Sequence, residues 1–132
     1  MDRNEMKSRT KEFAKSIIKL CRKFPNNMEG RLIGNQIFRL GTSTAANYRA
    51  ACRARSTADF ISKLSIVEEE ADETLFWLEL IKKMEIVDKT LLNSLMQENN
   101  EIIAIIVSSI KTARNNKQIR NPNSAIQNKY DS

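Results

Sequence analysis

The sequence predicts an all-α protein, an antiparallel up-down-up-down four-helix bundle with a disordered C-terminal tail. Three observations predict it. Only 3 glycines and 2 prolines occur in 132 residues, too few turn formers for a sandwich or barrel of many short strands. Apolar residues recur at spacings of three and four along four successive segments, the period of an α-helix. The breaks between those segments are short, and a short connection joins helices only as antiparallel neighbours. The chain reads as one domain over residues 1–114, followed by a polar tail over 115–132; 41% hydrophobic residues suffice to bury a core.

The first helix is expected from about Ser8 to Phe24, with Phe13, Ala14, Ile17, Cys21 and Phe24 on one face. Pro25 stops it, because the residue before a proline is pushed out of the α region. The second runs from Met28 to about Arg53, with a stripe of Ile33, Ile37, Leu40, Thr44, Tyr48 and Ala51. Beside that stripe lies a row of small residues, Gly34, Gly41, Ala45 and Cys52. Glycine costs about 1 kcal/mol relative to alanine inside a helix. The row therefore marks either a close approach of another helix or a kink around Gly41–Thr44.

Ser56 and Asp59 have the spacing of a capping box and open a third helix. Its pattern is the clearest in the chain: Phe60, Leu64, Val67, Ala71, Thr74, Leu78 and Ile81 form a heptad seam. After a loop near Lys83–Val87, Asp88 can cap a fourth helix with the stripe Leu92, Leu95, Met96, Asn99, Ile103, Ile106 and Ile110, ending near Arg114. Residues 115–132 are Asn-rich and almost without large apolar groups, so they cannot offset the entropy of ordering.

Composition excludes most catalytic chemistry. There is no histidine, which removes the commonest general base, His-bearing zinc sites and the Ser-His-Asp and Cys-His devices. Cys21 and Cys52 are too far apart for a metal-ligand pair and too few for a disulfide framework; both are expected as buried thiols. The acidic run Glu68, Glu69, Glu70, Asp72 and Glu73 does not converge on one point of a helical wheel. Its expected role is pairing with arginines on a neighbouring helix or subunit. No cofactor, metal or catalytic residue is expected. The start of the chain carries no signal-like apolar core and nothing approaches a membrane span, so a cytoplasmic location is expected.

The net charge of +6 hides a strong segregation. Residues 1–58 carry 13 Lys+Arg against 4 Asp+Glu, residues 59–110 carry 4 against 11, and residues 111–132 carry 5 against 1. On the wheel Lys11, Lys15, Lys19 and Arg22 share the outer face of the first helix, and Arg31, Arg39, Arg49 and Arg53 that of the second. Charges opposite an apolar stripe can be a solvated face, but such a face usually mixes signs. Residues 30–58 hold five arginines and no acid. These eight side chains are the candidate nucleic-acid-binding residues, acting on backbone phosphate with little base specificity, because no aromatics interleave with them. Phe76, Trp77 and Leu80 lie off the heptad seam and form a candidate oligomer interface.

One further pattern is more specific: Gln36-Ile37-Phe38-Arg39, Thr42-Ser43, Ala46-Asn47-Tyr48-Arg49-Ala50-Ala51, Asp59-Phe60, and Glu68 to Thr74 before Trp77-Leu78. Over about residues 8–114 the chain resembles the four-helix-bundle family of ribosomal RNA intervening-sequence proteins. The family that it resembles includes a relative, the accessory variability determinant of diversity-generating retroelements. The resemblance implies the bundle fold, a homopentamer, nucleic-acid binding and partnership with a reverse transcriptase or another protein. Arg39 and Arg49 fall within the matched segment. The alternative function is an interaction scaffold, an accessory subunit without nucleic-acid affinity.

Overall fold

A computed structural model describes residues 1–120, with side chains through Lys117. It is the expected antiparallel up-down-up-down four-helix bundle: α1 Arg3–Cys21, α2 Met28–Cys52, α3 Thr57–Lys83 and α4 Lys89–Arg120, with no strand among the described residues. Each helix packs along the next one in the chain, while α1 and α4 meet only sparsely. Part of the segment expected as a tail is helical, because α4 continues past Arg114; the rest of that expectation, from residue 121, lies outside the described residues. The apolar stripe ends at Ile110 but the backbone ladder does not. Lys117, in the last turn, suits the negative end of the helix dipole.

The helix starts are set by side-chain caps. Asp2 accepts from Glu5 N at 2.8 Å, so α1 begins five residues before Ser8. Met6 and Thr10 then join Phe13, Ala14, Ile17 and Leu20 in the buried face. Thr10 is tolerated there because its hydroxyl donates to the Met6 carbonyl at 3.0 Å. Cys21 and Phe24, expected at the centre of that stripe, lie half-buried at its edge. Asn27 caps α2 through Gly30 N, and Ser56 caps α3 through Asp59 N, at 2.8 and 3.0 Å. The Asp59 carboxylate turns to Lys63 Nζ, at 2.8 Å, rather than completing the box.

The seam of α3 is buried as expected from Leu64 to Ile81, with Phe60 half-buried at its start. In α4 the core position is Ile102, fully buried, and Ile103 sits beside it. Adjacent isoleucines are both compatible with the period, and the packing of α3 decides between them. Asn99 is wholly buried; its Nδ2 donates to the Ala71 carbonyl at 2.8 Å, and its Oδ1 has no partner. A polar group held this way weakens the core but penalises other registers of α4 on α3.

Of the two readings of the small-residue row, the close approach holds. The α2 helix is continuous through Gly41–Thr44, and a Cβ on Gly41 would stand 2.8 Å from two Ile17 side-chain carbons. Gly34 faces the Phe24 ring, and Cys21 Sγ donates to the Gly34 carbonyl at 3.7 Å. Ile17 is fully buried and β-branched, so it cannot yield easily. Replacing Gly41 with alanine improves helix propensity yet overpacks this contact. Urea unfolding of Gly41→Ala should show a loss of about 1–3 kcal/mol.

The connection from α3 to α4 contains Glu85 at φ 54, the one positive-φ non-glycine residue among those described. Ile86 N donates to the Ile81 carbonyl and Glu85 N to that of Lys82, a Schellman closure with Ile86 packed on the core. Glycine is the residue suited to this conformation, and the left-handed region costs an ordinary side chain about 1 kcal/mol. Glu85→Gly should therefore raise the urea midpoint, with a gain of about 0.5–1 kcal/mol and an unchanged denaturant slope.

Candidate nucleic-acid interface

The packing of α1 on α2 decides whether the two basic faces meet. Ile17 against Gly41, and Cys21 against Gly34, fix an antiparallel register. In that register Lys15, Lys19 and Arg22 run alongside residues 34–42, while Arg49 and Arg53 pass Lys11 toward the start of α1. All eight candidates, Lys11, Lys15, Lys19, Arg22, Arg31, Arg39, Arg49 and Arg53, are exposed. At 1.5 Å per residue the arginine row spans about 33 Å.

Their partners leave the charge uncompensated. Arg31 donates to Asn26 Oδ1 and Arg39 to Gln36 Oε1, both neutral. Lys15 reaches Glu12 only at 4.0 Å, an exposed pair worth little. Among the described residues none of the four arginines pairs with a carboxylate. The expected pairing of the α3 acids with arginines is likewise not formed among the described residues. Glu70 instead turns to α2, where the Ser43 hydroxyl and the Asn47 amide donate to its two oxygens. Glu68 leans toward α4, lining a cleft with Lys111 and Arg114. Among the described residues no three His, Cys, Asp or Glu side chains are grouped to hold a metal, and no helix is long and apolar enough to cross a membrane.

The structure corrects one reading of the basic surface. Phe38, 45% exposed, stands next to Arg39 on α2, and Leu32 is 60% exposed. Apolar and aromatic groups therefore do interleave with the cations. On the same wheel Phe38 and Leu32 fall at the two edges of the arginine sector, a signal missed because only apolar residues of the buried stripe and the cations were placed on it. Arg9, which sequence reading left out, is held across the α1–α4 seam. Its Nε and Nη2 donate to the two oxygens of Glu98 at 2.9 and 2.6 Å, and Glu101 lies 3.4 Å away.

Phe76, Trp77 and Leu80 are divided. Phe76 is half exposed, with its ring 5.2 Å from that of Trp77, whereas Trp77 packs against the bundle's own core and Leu80 is half-buried. Ile66 on the same helix and Met84 at its C-cap are about as exposed as Phe76. The thiols are free and half-buried rather than buried. Burial pushes the Cys21 thiol up to about 11, and raises Tyr48, which lies near Cys52.

A family model described as 23S rRNA-intervening sequence protein matches residues 2–108. A crystal structure of a protein with unknown function, from the S23 ribosomal protein family of Bacteroides thetaiotaomicron, is 39% identical. It superposes with a TM-score of 0.78 over 84% of this chain and 99% of that one. No curated protein matches the chain.

The raised Cys21 thiol is testable. Only the thiolate is alkylated, so a shift from 9.0 to about 11 leaves roughly a hundredth of the ordinary thiolate at pH 8. Iodoacetamide labelling followed by peptide mass spectrometry should find Cys21 modified about 100-fold more slowly in the folded chain than in urea. The native rate should climb tenfold per pH unit toward pH 10.

Proposed function

We propose, on the footing that this chain belongs to the 23S rRNA-intervening sequence protein family, that it is a non-enzymatic nucleic-acid-binding protein assembled as a homo-oligomer. The observation that carries this reading is the outer surface of α1 and α2. Eight exposed cations lie there along about 33 Å, and its arginines have no carboxylate partner among the described residues. Phosphates spaced along a duplex are a complementary ligand for such a row, and each neutralised phosphate releases a counterion. The arginines recognise backbone rather than base pattern, so RNA and DNA are both substrates of the surface.

The assembly is a pentamer in this proposal, consistent with the resemblance read from the sequence. Five chains of +6 carry about +30, which multiplies the salt dependence. Exposed Ile66 and Phe76 on α3, with Met84 at its C-cap, are apolar surface that a second copy would cover. The protein acts in the cytoplasm, and a reverse transcriptase or another protein is its further partner. The second reading, an interaction scaffold, draws on the same exposed α3 side chains and requires no affinity for nucleic acid.

A binding titration with a labelled duplex across a salt series, alongside light-scattering mass, tests both readings. The expected result is a mass of five chains and an affinity falling steeply with salt. Arg31→Gln, Arg39→Gln, Arg49→Gln and Arg53→Gln combined should flatten the salt slope by about four and leave the circular dichroism melt within a degree or two. An oligomer without affinity at low salt transfers the function to the scaffold; unchanged affinity in the quadruple variant removes these arginines from it.

A further inference from the structure

The sparse contact between α1 and α4 leaves a cleft of about 680 Å³ at the pole where α1 and α3 begin and α2 and α4 end. That size is typical of small-ligand sites. Its floor is apolar, with buried Met6 and Tyr48, and its α4 wall carries Ser108 and Thr112, one helical turn apart. At its lip the Arg3 guanidinium lies over the Phe60 ring, 4.3 Å from the centroid. A smaller cleft of about 330 Å³ adjoins it, sharing Arg3 and Phe60 and adding Arg55.

We infer that this pole takes an unpaired nucleotide: the base enters the larger cleft, and its phosphate lies toward Arg3 and Arg55. The chemistry that recognises such a ligand is all present. A slot with an apolar floor accepts the planar ring of any base, while the face of Phe60 is covered by the Arg3 guanidinium that would meet the phosphate. The hydroxyls of Ser108 and Thr112 make no hydrogen bond among the described residues and are available to the edge of the base. Two guanidiniums supply donors for phosphate oxygens. Of the two carboxylates nearby, Asp59 is paired with Lys63, whereas Asp2 lines the larger cleft and accepts only from Glu5 N. Their pKa values are lowered, first by the backbone bond from Glu5 and by the Lys63 bond respectively, so both stay anionic and the phosphate is placed in the smaller cleft of Arg3 and Arg55, which Asp2 does not line.

The inference rests on the nucleic-acid reading for its biological sense but not for its test. It assigns single-stranded nucleotides to the pole, whereas the arginine row of α2 takes backbone phosphate of any strand.

The probe is a fluorescein-labelled, unstructured RNA octamer, compared by anisotropy with a duplex RNA of equal phosphate number, using the full chain. Ser108→Phe fills the cleft from an exposed position of α4, and Arg3→Gln removes the cation at its lip. Each should weaken octamer binding about tenfold or more and leave duplex binding within twofold. Competition by free AMP or UMP, but not by inorganic phosphate, identifies a free-nucleotide site. Absence of such competition with the variant effects intact identifies a site for a nucleotide within a strand. Octamer affinity unchanged by Ser108→Phe, or reduced in step with duplex affinity, overturns the inference. Loss of duplex binding alone, with octamer binding and its Ser108→Phe effect intact, overturns the α2 surface and leaves the pole standing.

Discussion

The bundle closes on itself through Arg9. Connections over 22–27, 53–56 and 84–88 hold α1 to α2, α2 to α3 and α3 to α4, and each of these pairs then packs along its length. No connection holds α1 to α4. That seam depends on a fork of hydrogen bonds from Arg9 to Glu98, reinforced by Glu101, with all three side chains less than fully exposed. A hydrogen bond to a charged group contributes about 1.5–3 kcal/mol, and the paired geometry also sets the height of one helix on the other. Because the clasp is local, the helices stand apart on either side of it. One cleft opens beside Ser16, Ser94 and Gln97, and the larger one opens at the pole.

The same topology turns a sequence pattern into a field. Positive charge is concentrated before residue 59 and negative charge between 59 and 110. Antiparallel neighbours keep α1 beside α2 and α3 beside α4, so the two signs occupy two sides of the molecule. The acids that would cancel the basic side are elsewhere. Glu70 is satisfied by Ser43 and Asn47 inside the α2–α3 contact, and Glu98 and Glu101 are taken by Arg9. From Arg31 onward the charge left outward on α2 is cationic, with Leu32 and Phe38 between the arginines.

Much of this fold was legible because heptad spacing and caps are local. The α3 seam needs only its own period, and Ser56 needs only a helix to begin. The two glycines at heptad spacing were legible as a place of approach, though the choice between approach and kink needed Ile17. Other features depend on groups distant in sequence or on backbone shape. Thr10 looks polar until its hydroxyl is seen to return to Met6. Ile102 and Ile103 are interchangeable to a period of 3.6. Glu85 carries no mark of the left-handed conformation that glycine would have announced. Arg9 and Glu98 are separated by most of the chain, and nothing in the spacing of either pairs them. For the surface, the wheel found the cations because exposure needs no partner; it missed Phe38 because an exposed aromatic contradicts the rule used to find the core.

Asn99 and the acidic half of the bundle bear on why such a protein tolerates its polar features. A buried amide with a free Oδ1 costs stability that an apolar residue would not. Its bond to the Ala71 carbonyl, however, is made only when α4 sits at one height on α3. The clasp at Glu98 lies one residue away and fixes the height of α4 on α1. Two adjacent residues thus set α4 against both of its neighbours, and the clefts left along the α1–α4 seam are as well defined as the core. In the proposed assembly the acids have a further consequence. Copies that each carry +6 repel one another at low salt, and the repulsion is strongest where basic faces meet. A contact that places α3, with Glu69 and Glu73 among its exposed apolar residues, toward a neighbour brings negative charge to the junction and leaves the arginine rows facing outward.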